Sequence, residues 1–255
     1  MTRMKPHERQ RLIDEKIRRE GEVTVEMLAD SFGVSTETIR RDLAQLVESG
    51  RAQKVHGGAK RPRLITEGSF DERLGTEAVA KTHIGRLLAQ AVEPGETLFV
   101  DTGSTTLAAA EFLAAIPGLT IVTNSTRMAE RLAKSGSDAA IFLLGGRYQG
   151  DNAETVGPDT IRQISAYSAD KAVISVAAIS PDAGGWDASY EEAQIARAMI
   201  GNTHFLIVLA DSSKFGRQAA FKVCDPDEID LLISDSQAKA MDITAMRERG
   251  VEVWH

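Results

Sequence analysis

The stretch FVDTGSTTLAAAEFL, residues 99–113, decides the fold. It opens as an apolar run, passes through Asp101, Thr102, Gly103, Ser104, Thr105 and Thr106, and ends Ala-rich. An apolar strand that turns through small polar residues into a helix is the repeating unit of an α/β domain. Gly103 lets the backbone come close to an anion. Ser104, Thr105 and Thr106 offer hydroxyls and N–H groups at a helix start. The same residues also make an ordinary capped turn with nothing bound, and the loop alone does not separate the two. No Gly-Lys-Ser/Thr follows, so this is not a nucleotide-hydrolysing loop.

Outward from this stretch, apolar runs recur at 97–100, 119–122, 139–144, 171–176, 204–210, 230–234 and 251–254. Helical patterns separate most of them, as in STRMAERLAKSG, DTIRQISAYS, EEAQIARAMIGN and AKAMDITAMRERG. A further helix is expected from about Glu77 to Val92, with Ile84, Leu87, Leu88 and Ala91 inward. The alternation predicts a large, mainly parallel α/β domain over 77–255, whose ligands bind at the C-terminal strand ends. Small polar loops stand at those ends. Thr123, Asn124 and Ser125 follow one strand, where they can line a site or simply cap the next helix. Gly145 and Gly146 can bring backbone to a ligand and Arg147 can meet an anion, or the segment is a surface loop. Asp211 ends a strand and Lys214 follows, as a phosphate partner or as an exposed turn lysine. In GGWDASYEEAQ, Asp187, Tyr190, Glu191 and Glu192 can bond ligand hydroxyls and Trp186 can wall a pocket. That segment also reads as a packed loop and helix start.

The formal charge is −7, with one cysteine, Cys224, among 255 residues. Disulfides and Cys-based metal clusters are excluded, which fits a reducing compartment. No apolar run is long enough to span a membrane as a helix, and the first twenty residues lack a signal-peptide core, so a cytoplasmic location is expected. The charge is divided unevenly. Residues 1–63 hold 14 Lys and Arg against 10 Asp and Glu, while the remainder holds 16 against 27. A basic head on an acidic body points to a polyanion-binding module joined to something else.

The head reads as three helices and a wing over 1–60, followed by a linker over 61–76. Leu12, Ile13 and Ile17 give one stripe, and Val25, Leu28 and Phe32 a second, capped by Thr24 and closed by Gly33. Ser35 caps a third helix carrying Ile39, Leu43 and Leu46, closed by Gly50. Two short helices joined by a tight Gly turn are a helix-turn-helix. With those apolar residues inward, Thr38, Arg40 and Arg41 face outward near the helix start, with Ser35 and Thr36 before them, where base edges and phosphates can be met. RAQKVHGGAKRPR then predicts a β-hairpin with a basic tip, offering Lys54, His56, Lys60, Arg61 and Arg63 to phosphate. A charged three-helix bundle that binds protein would show many of the same features.

ERQRLIDEKIRREGEVTVEMLADSFGVSTETIRRDLAQLVESGRAQKVHGGA resembles the DeoR family of bacterial transcription regulators, most specifically in VSTETIRRDL followed by HGGA. The order DTGSTT, TNS, LGG, GP, ADSSKFG resembles that family's sensor domain, so the likeness covers roughly residues 6–253. It implies a winged helix-turn-helix that binds operator DNA, usually as a repressor. It also implies a sensor fold similar to ribose-5-phosphate isomerase and a phosphorylated sugar or polyol effector. Asp101, Gly103–Thr106, Thr123–Ser125 and Lys214 would surround that effector. DASYEE resembles the glycerol-3-phosphate branch of the family. A homodimer or homotetramer is expected, with no cofactor, no metal, no membrane partner and no catalytic residue. The alternative is a sugar-phosphate isomerase with a DNA-binding head, for which Asp101, Asp211 and Glu191 are available carboxylates.

Overall fold

The computed structural model describes residues 4–48, 51–61, 64 and 67–255. The chain separates into two compact units, Met1–Leu64 with Gly216–Gln218, and Ile65–Phe215 with Ala219–His255.

The first unit runs α1 (Pro6–Glu20), β1 (Glu22–Thr24), α2 (Val25–Phe32), α3 (Thr36–Glu48), β2 (Gln53–Val55) and β3 (Gly58–Lys60). Ile13, Ile17, Leu28, Ile39, Leu43 and Leu46 are buried in one core, the stripes that helical periodicity predicts. Thr24 accepts from the Met27 N–H to start α2, and Gly33 closes it in the left-handed region. Ser35 Oγ accepts from the Thr38 N–H at 3.2 Å to start α3. Two features were not expected. Residues 22–24 form a strand, so the wing is a three-stranded sheet in the order β1-β3-β2. Gly58 permits it: a Cβ there would lie 2.1 Å from the Val23 carbonyl oxygen. In addition, Arg9 and Asp42 form a buried pair between α1 and α3, with Nε to Oδ2 at 2.5 Å and Nη2 to Oδ1 at 3.2 Å. Gln10 donates to the same carboxylate at 3.1 Å. The helix end expected at Gly50, and Arg63, lie outside the described residues.

The second unit opens with α4 (Phe70–Gly75), α5 (Ala78–Gln90), β4 (Thr97–Val100), α6 (Ser104–Ala108), α7 (Ala110–Leu113) and β5 (Thr120–Thr123). It continues with α8 (Thr126–Lys134), β6 (Ala140–Leu143), β7 (Arg147–Gln149), β8 (Glu154–Val156), α9 (Pro158–Ile164) and β9 (Lys171–Ser175). After these come β10 (Ala178–Ser180), β11 (Gly184–Asp187), α10 (Tyr190–Ile200), β12 (Leu206–Leu209), β13 (Phe221–Cys224), β14 (Leu231–Ile233), α11 (Ala240–Glu248) and β15 (Glu252–Trp254). The seven strands read from apolar runs pair in parallel, in the order β15-β14-β12-β9-β4-β5-β6. The expected mainly parallel α/β architecture is therefore present. Side chains alternate across it: Leu98 and Val100 join one core with α5 and α8, while Phe99, Ala172 and Ile174 join another with α9 and α10.

The strand order fixes where a ligand can sit. From β4 the chain winds outward through β5 and β6. From β9 it winds the other way through β12, β14 and β15. The crevice at the C-terminal ends of β4 and β9 is thus the topological switch point.

Three departures from the sequence reading bear on that crevice. The linker expected over 61–76 is structured in its second half, since Phe70 is fully buried and Ser69 and Glu72 form a reciprocal capping box at α4. The segment read as a surface loop after Leu144 is a β7–β8 hairpin. GGWD, read as loop, is β11, paired between β10 and β13.

Candidate functional site

A narrow cleft, with free space of only about 10 Å³, opens at the switch point, lined by Thr102, Ser104 and Thr105 after β4 and Ser175, Val176 and Ala177 after β9. Asp187, Glu192, Lys214, Glu67 and Arg73 complete its wall. Of the residues expected to meet an effector, Ser104, Thr105, Asp187 and Lys214 are brought together here.

Others shape the cleft from behind. Gly103 is extended, and a Cβ on it would lie 2.0 Å from Ser175 Oγ, so the loop can pass β9 only without a side chain. Thr106 Oγ1 donates to the carbonyls of Asp101 and Gly103, at 3.1 and 3.0 Å. The Asp101 carboxylate accepts from the Ser175 N–H at 2.9 Å. Burial pushes the Asp101 carboxyl well above its ordinary range, against the pull of that N–H. Thr123 Oγ1 accepts from the Ser125 N–H, and Ser125 caps α8. Asn124 donates to Glu154 and to the Thr155 carbonyl, both at 3.1 Å, leaving its own buried Oδ1 without a partner.

Gly145, Gly146, Arg147 and Glu191 do not line the cleft. Gly145 is held by Gln163 and Thr160 of α9, and Gly146 lies against Thr160. Arg147 forks onto Glu191 at 2.5 and 2.6 Å, a partly exposed pair in which each neutralises the other. The helix opening at Ser104 is only five residues long, so its dipole is small. Positive charge comes instead from Lys214, Arg73 and Lys81.

Arg73 and Lys81 were missed by the sequence reading because they sit in and after the supposed linker. SFDE, a capping-box pattern at residues 69–72, was the available signal for α4. Arg73 donates to Glu67 Oε2 and to Asn152 Oδ1, both at 2.6 Å. Lys81 reaches the carbonyls of Arg73 and Thr76, and burial lowers its ammonium below the usual lysine range.

Glu154, also missed, lies at the start of β8 with no exposed surface. Asn152 donates to Glu154 at 3.2 Å and to Glu192 at 2.9 Å, joining the two carboxyls through one amide. Burial pushes Glu154 up to about 7, and nearby Asp187 adds to the effect. Burial pushes Asp187 up to about 6, with Glu67 acting in the same direction. Glu192 is held well above its ordinary range by burial and by Asp187 and Glu154. The cleft therefore combines cations and hydroxyls with carboxyls whose proton affinity is raised by burial.

In the first unit, Arg40 and Arg41 extend from α3 with exposed side chains, 3.9 and 3.5 Å from Glu37. Thr36 and Thr38 are half-buried, and Ser35 Oγ bonds both the N–H and the hydroxyl of Thr38. Ser35 thus positions α3 rather than presenting a free hydroxyl. The expected basic tip is narrower than predicted. His56 occupies the β2–β3 turn with Lys54 beside it, whereas Lys60 pairs with Glu22 and Gln53 at the opposite end of β3, next to Arg61.

Residues 76–236 match the DeoR C terminal sensor domain, and residues 9–63 match the DeoR-like helix-turn-helix domain. This chain belongs to the DeoR family. It is 32% identical over 233 residues to the glycerol-3-phosphate regulon repressor of Escherichia coli (strain K12), covering 91% of this chain and 92% of that protein. It is 33% identical over 239 residues to the HTH-type transcriptional repressor GlcR of Bacillus subtilis (strain 168), covering 93% and 91%. A solved structure of ribose 5-phosphate isomerase A from Methanocaldococcus jannaschii is similar at 14% identity and a TM-score of 0.41, over 55% of each chain. In this DeoR-family chain, the cleft residues from Thr102 to Lys214 fall within the matched sensor domain, while Glu67 and Arg73 precede it. Arg40, Arg41 and the wing fall within the matched helix-turn-helix domain. Among the described residues no helix is long and apolar enough to cross a membrane, and no group of His, Cys, Asp and Glu is placed to hold a metal ion.

Proposed function

We propose that this protein represses a carbohydrate or polyol operon and is released from its operator by a phosphorylated sugar or polyol bound in the switch-point cleft. One observation carries this reading. Lys214, Arg73, Ser104 and Thr105 line a single cleft together with Asp187 and Glu192. A ligand with an anion at one end and hydroxyls at the other meets both sets of groups. Cations and hydroxyl donors suit a phosphate, and carboxyls suit hydroxyl groups. The relatives named as repressors, one of a glycerol-3-phosphate regulon, support the same assignment. Arg40, Arg41, Thr36 and Thr38 of α3 would enter the major groove, with Lys54, His56, Lys60 and Arg61 on phosphates. Two heads in a homodimer or homotetramer would double those contacts on a repeated operator.

A gel-shift titration on the promoter adjoining the protein's own gene, with and without sugar and polyol phosphates, tests the proposal. The expected result is promoter binding at least about 10³-fold tighter than to random DNA, relieved by one phosphorylated compound and not by its unphosphorylated counterpart. Equal affinity for promoter and random DNA at physiological salt refutes it.

A further inference from the structure

The cations of the cleft are already engaged by a carboxylate of the chain itself. Glu67 Oε1 accepts from Lys214 Nζ at 2.8 Å, and Glu67 Oε2 accepts from Arg73 Nη1 at 2.6 Å. All three side chains are at least 85% buried, with 15%, 13% and 15% exposure for Glu67, Lys214 and Arg73. Two parallel charge-assisted bonds to two cations are what a phosphate oxygen pair would make. From Arg73 the bonding continues through Asn152 to Glu192 and Glu154. Glu67 also adds negative charge beside Asp187 and Glu192, whose carboxyls it pushes upward.

Glu67 lies three residues beyond Leu64, the last residue before the second unit. The next fixed point after it is Ser69, which caps α4 reciprocally with Glu72. The ion pairs of Glu67 therefore hold the chain in place just ahead of α4.

We infer that Glu67 is an internal competitor for the phosphate of the effector, and that effector binding displaces it from Lys214 and Arg73 and frees the segment ahead of α4. This rests on the reading of the cleft as the effector site. The next fixed point of the chain is then Ser69, at the α4 cap. The device is thermodynamically sound because the ligand has different affinities for the anchored and released states.

The test titrates the full chain and its Glu67→Gln variant with inorganic phosphate and with glycerol 3-phosphate, by calorimetry. Gln preserves shape and removes the competing charge. If Glu67 holds the cations nine-tenths of the time, the variant binds phosphate about tenfold tighter. In the unaltered chain, hydrogen exchange at Gly68–Phe70 is expected to quicken on saturation with the same probe. Binding by both chains with equal or weaker affinity in the variant, or unchanged exchange at saturation, overturns the inference and leaves the effector site standing. Binding by neither chain overturns the effector site itself, and the inference with it.

Discussion

Replacing Glu154 by Gln should stabilise the protein at pH 8 and not at pH 5. Glu154 has no exposed surface, and burial with Asp187 nearby raises its carboxyl from 4.5 to about 7. The folded state therefore keeps a proton that the unfolded chain releases. Between about pH 4.5 and 7 the folded state binds more protons, so stability falls as pH rises through that window. At 1.36 kcal/mol per pH unit the ionised side chain costs about 3 kcal/mol by pH 8. Gln removes that cost. It also sets an N–H against one of the two Asn donors, Asn124 or Asn152, which loses about 1 kcal/mol at every pH. The variant should thus be slightly less stable than the natural chain at pH 5 and about 2 kcal/mol more stable at pH 8. For a unit of this size the swing corresponds to roughly 6–12 °C in Tm. Differential scanning calorimetry of both chains at the two pH values measures it. A Tm difference that is the same at pH 5 and pH 8 would refute the assignment of a buried, proton-retaining Glu154.

Asp42→Ala leaves Arg9 charged and buried without its carboxylate, a loss of about 3–5 kcal/mol. Promoter binding in a gel shift should collapse while the thermal shift caused by a phosphorylated ligand persists. Arg41→Ala should weaken promoter binding without changing ligand affinity and, if it meets a phosphate, reduce the salt dependence by about one ion; loss of ligand binding as well would contradict two separable units. Gly103→Ala places a Cβ 2.0 Å from Ser175 Oγ, at a cost of about 1–3 kcal/mol. Adding Ser175→Ala should recover part of that stability in a double-mutant cycle, and strict additivity would rule out the contact.

The parallel sheet was legible because its central strands are buried on both faces and read as unbroken apolar runs, while the more exposed edge strands β6 and β15 keep a largely apolar pattern. All seven runs, from residues 97–100 to residues 251–254, belong to it. The helix-turn-helix was legible because Thr24, Gly33 and Ser35 announce its boundaries through local chemistry. What sequence reading missed depends on tertiary context. Strand β1 is three residues long, and only its pairing with β3 identifies it. The β7–β8 hairpin was hidden because its glycines and polar residues resemble a loop, yet it buries Glu154 against Asn124 and Asn152. Arg147 looked like an anion ligand until the fold placed Glu191 across from it. Asp42 carried no local signal, because its partner Arg9 lies 33 residues away. Local signals located the small-residue loop after β4 and Lys214. They did not locate Arg73, which reaches the cleft from a helix taken for linker.

On the proposed reading of the cleft, its carboxyls limit which effectors it accepts. A hydroxyl can donate to an ionised carboxylate and accept from a protonated carboxyl, so it is served in either state. A carboxylate at the same place can only accept. Two like charges about 4 Å apart at an effective dielectric of 20 repel by about 4 kcal/mol, and Asp187, with a value of about 6, is ionised at neutral pH. A phosphorylated sugar acid would pay that repulsion or carry extra protons into the cleft, whereas a neutral polyol or sugar phosphate does neither. On that proposed reading the raised carboxyls act as a filter on the far end of the ligand, Lys214 and Arg73 take the near end, and the two sets of groups together select for a molecule with one anionic terminus.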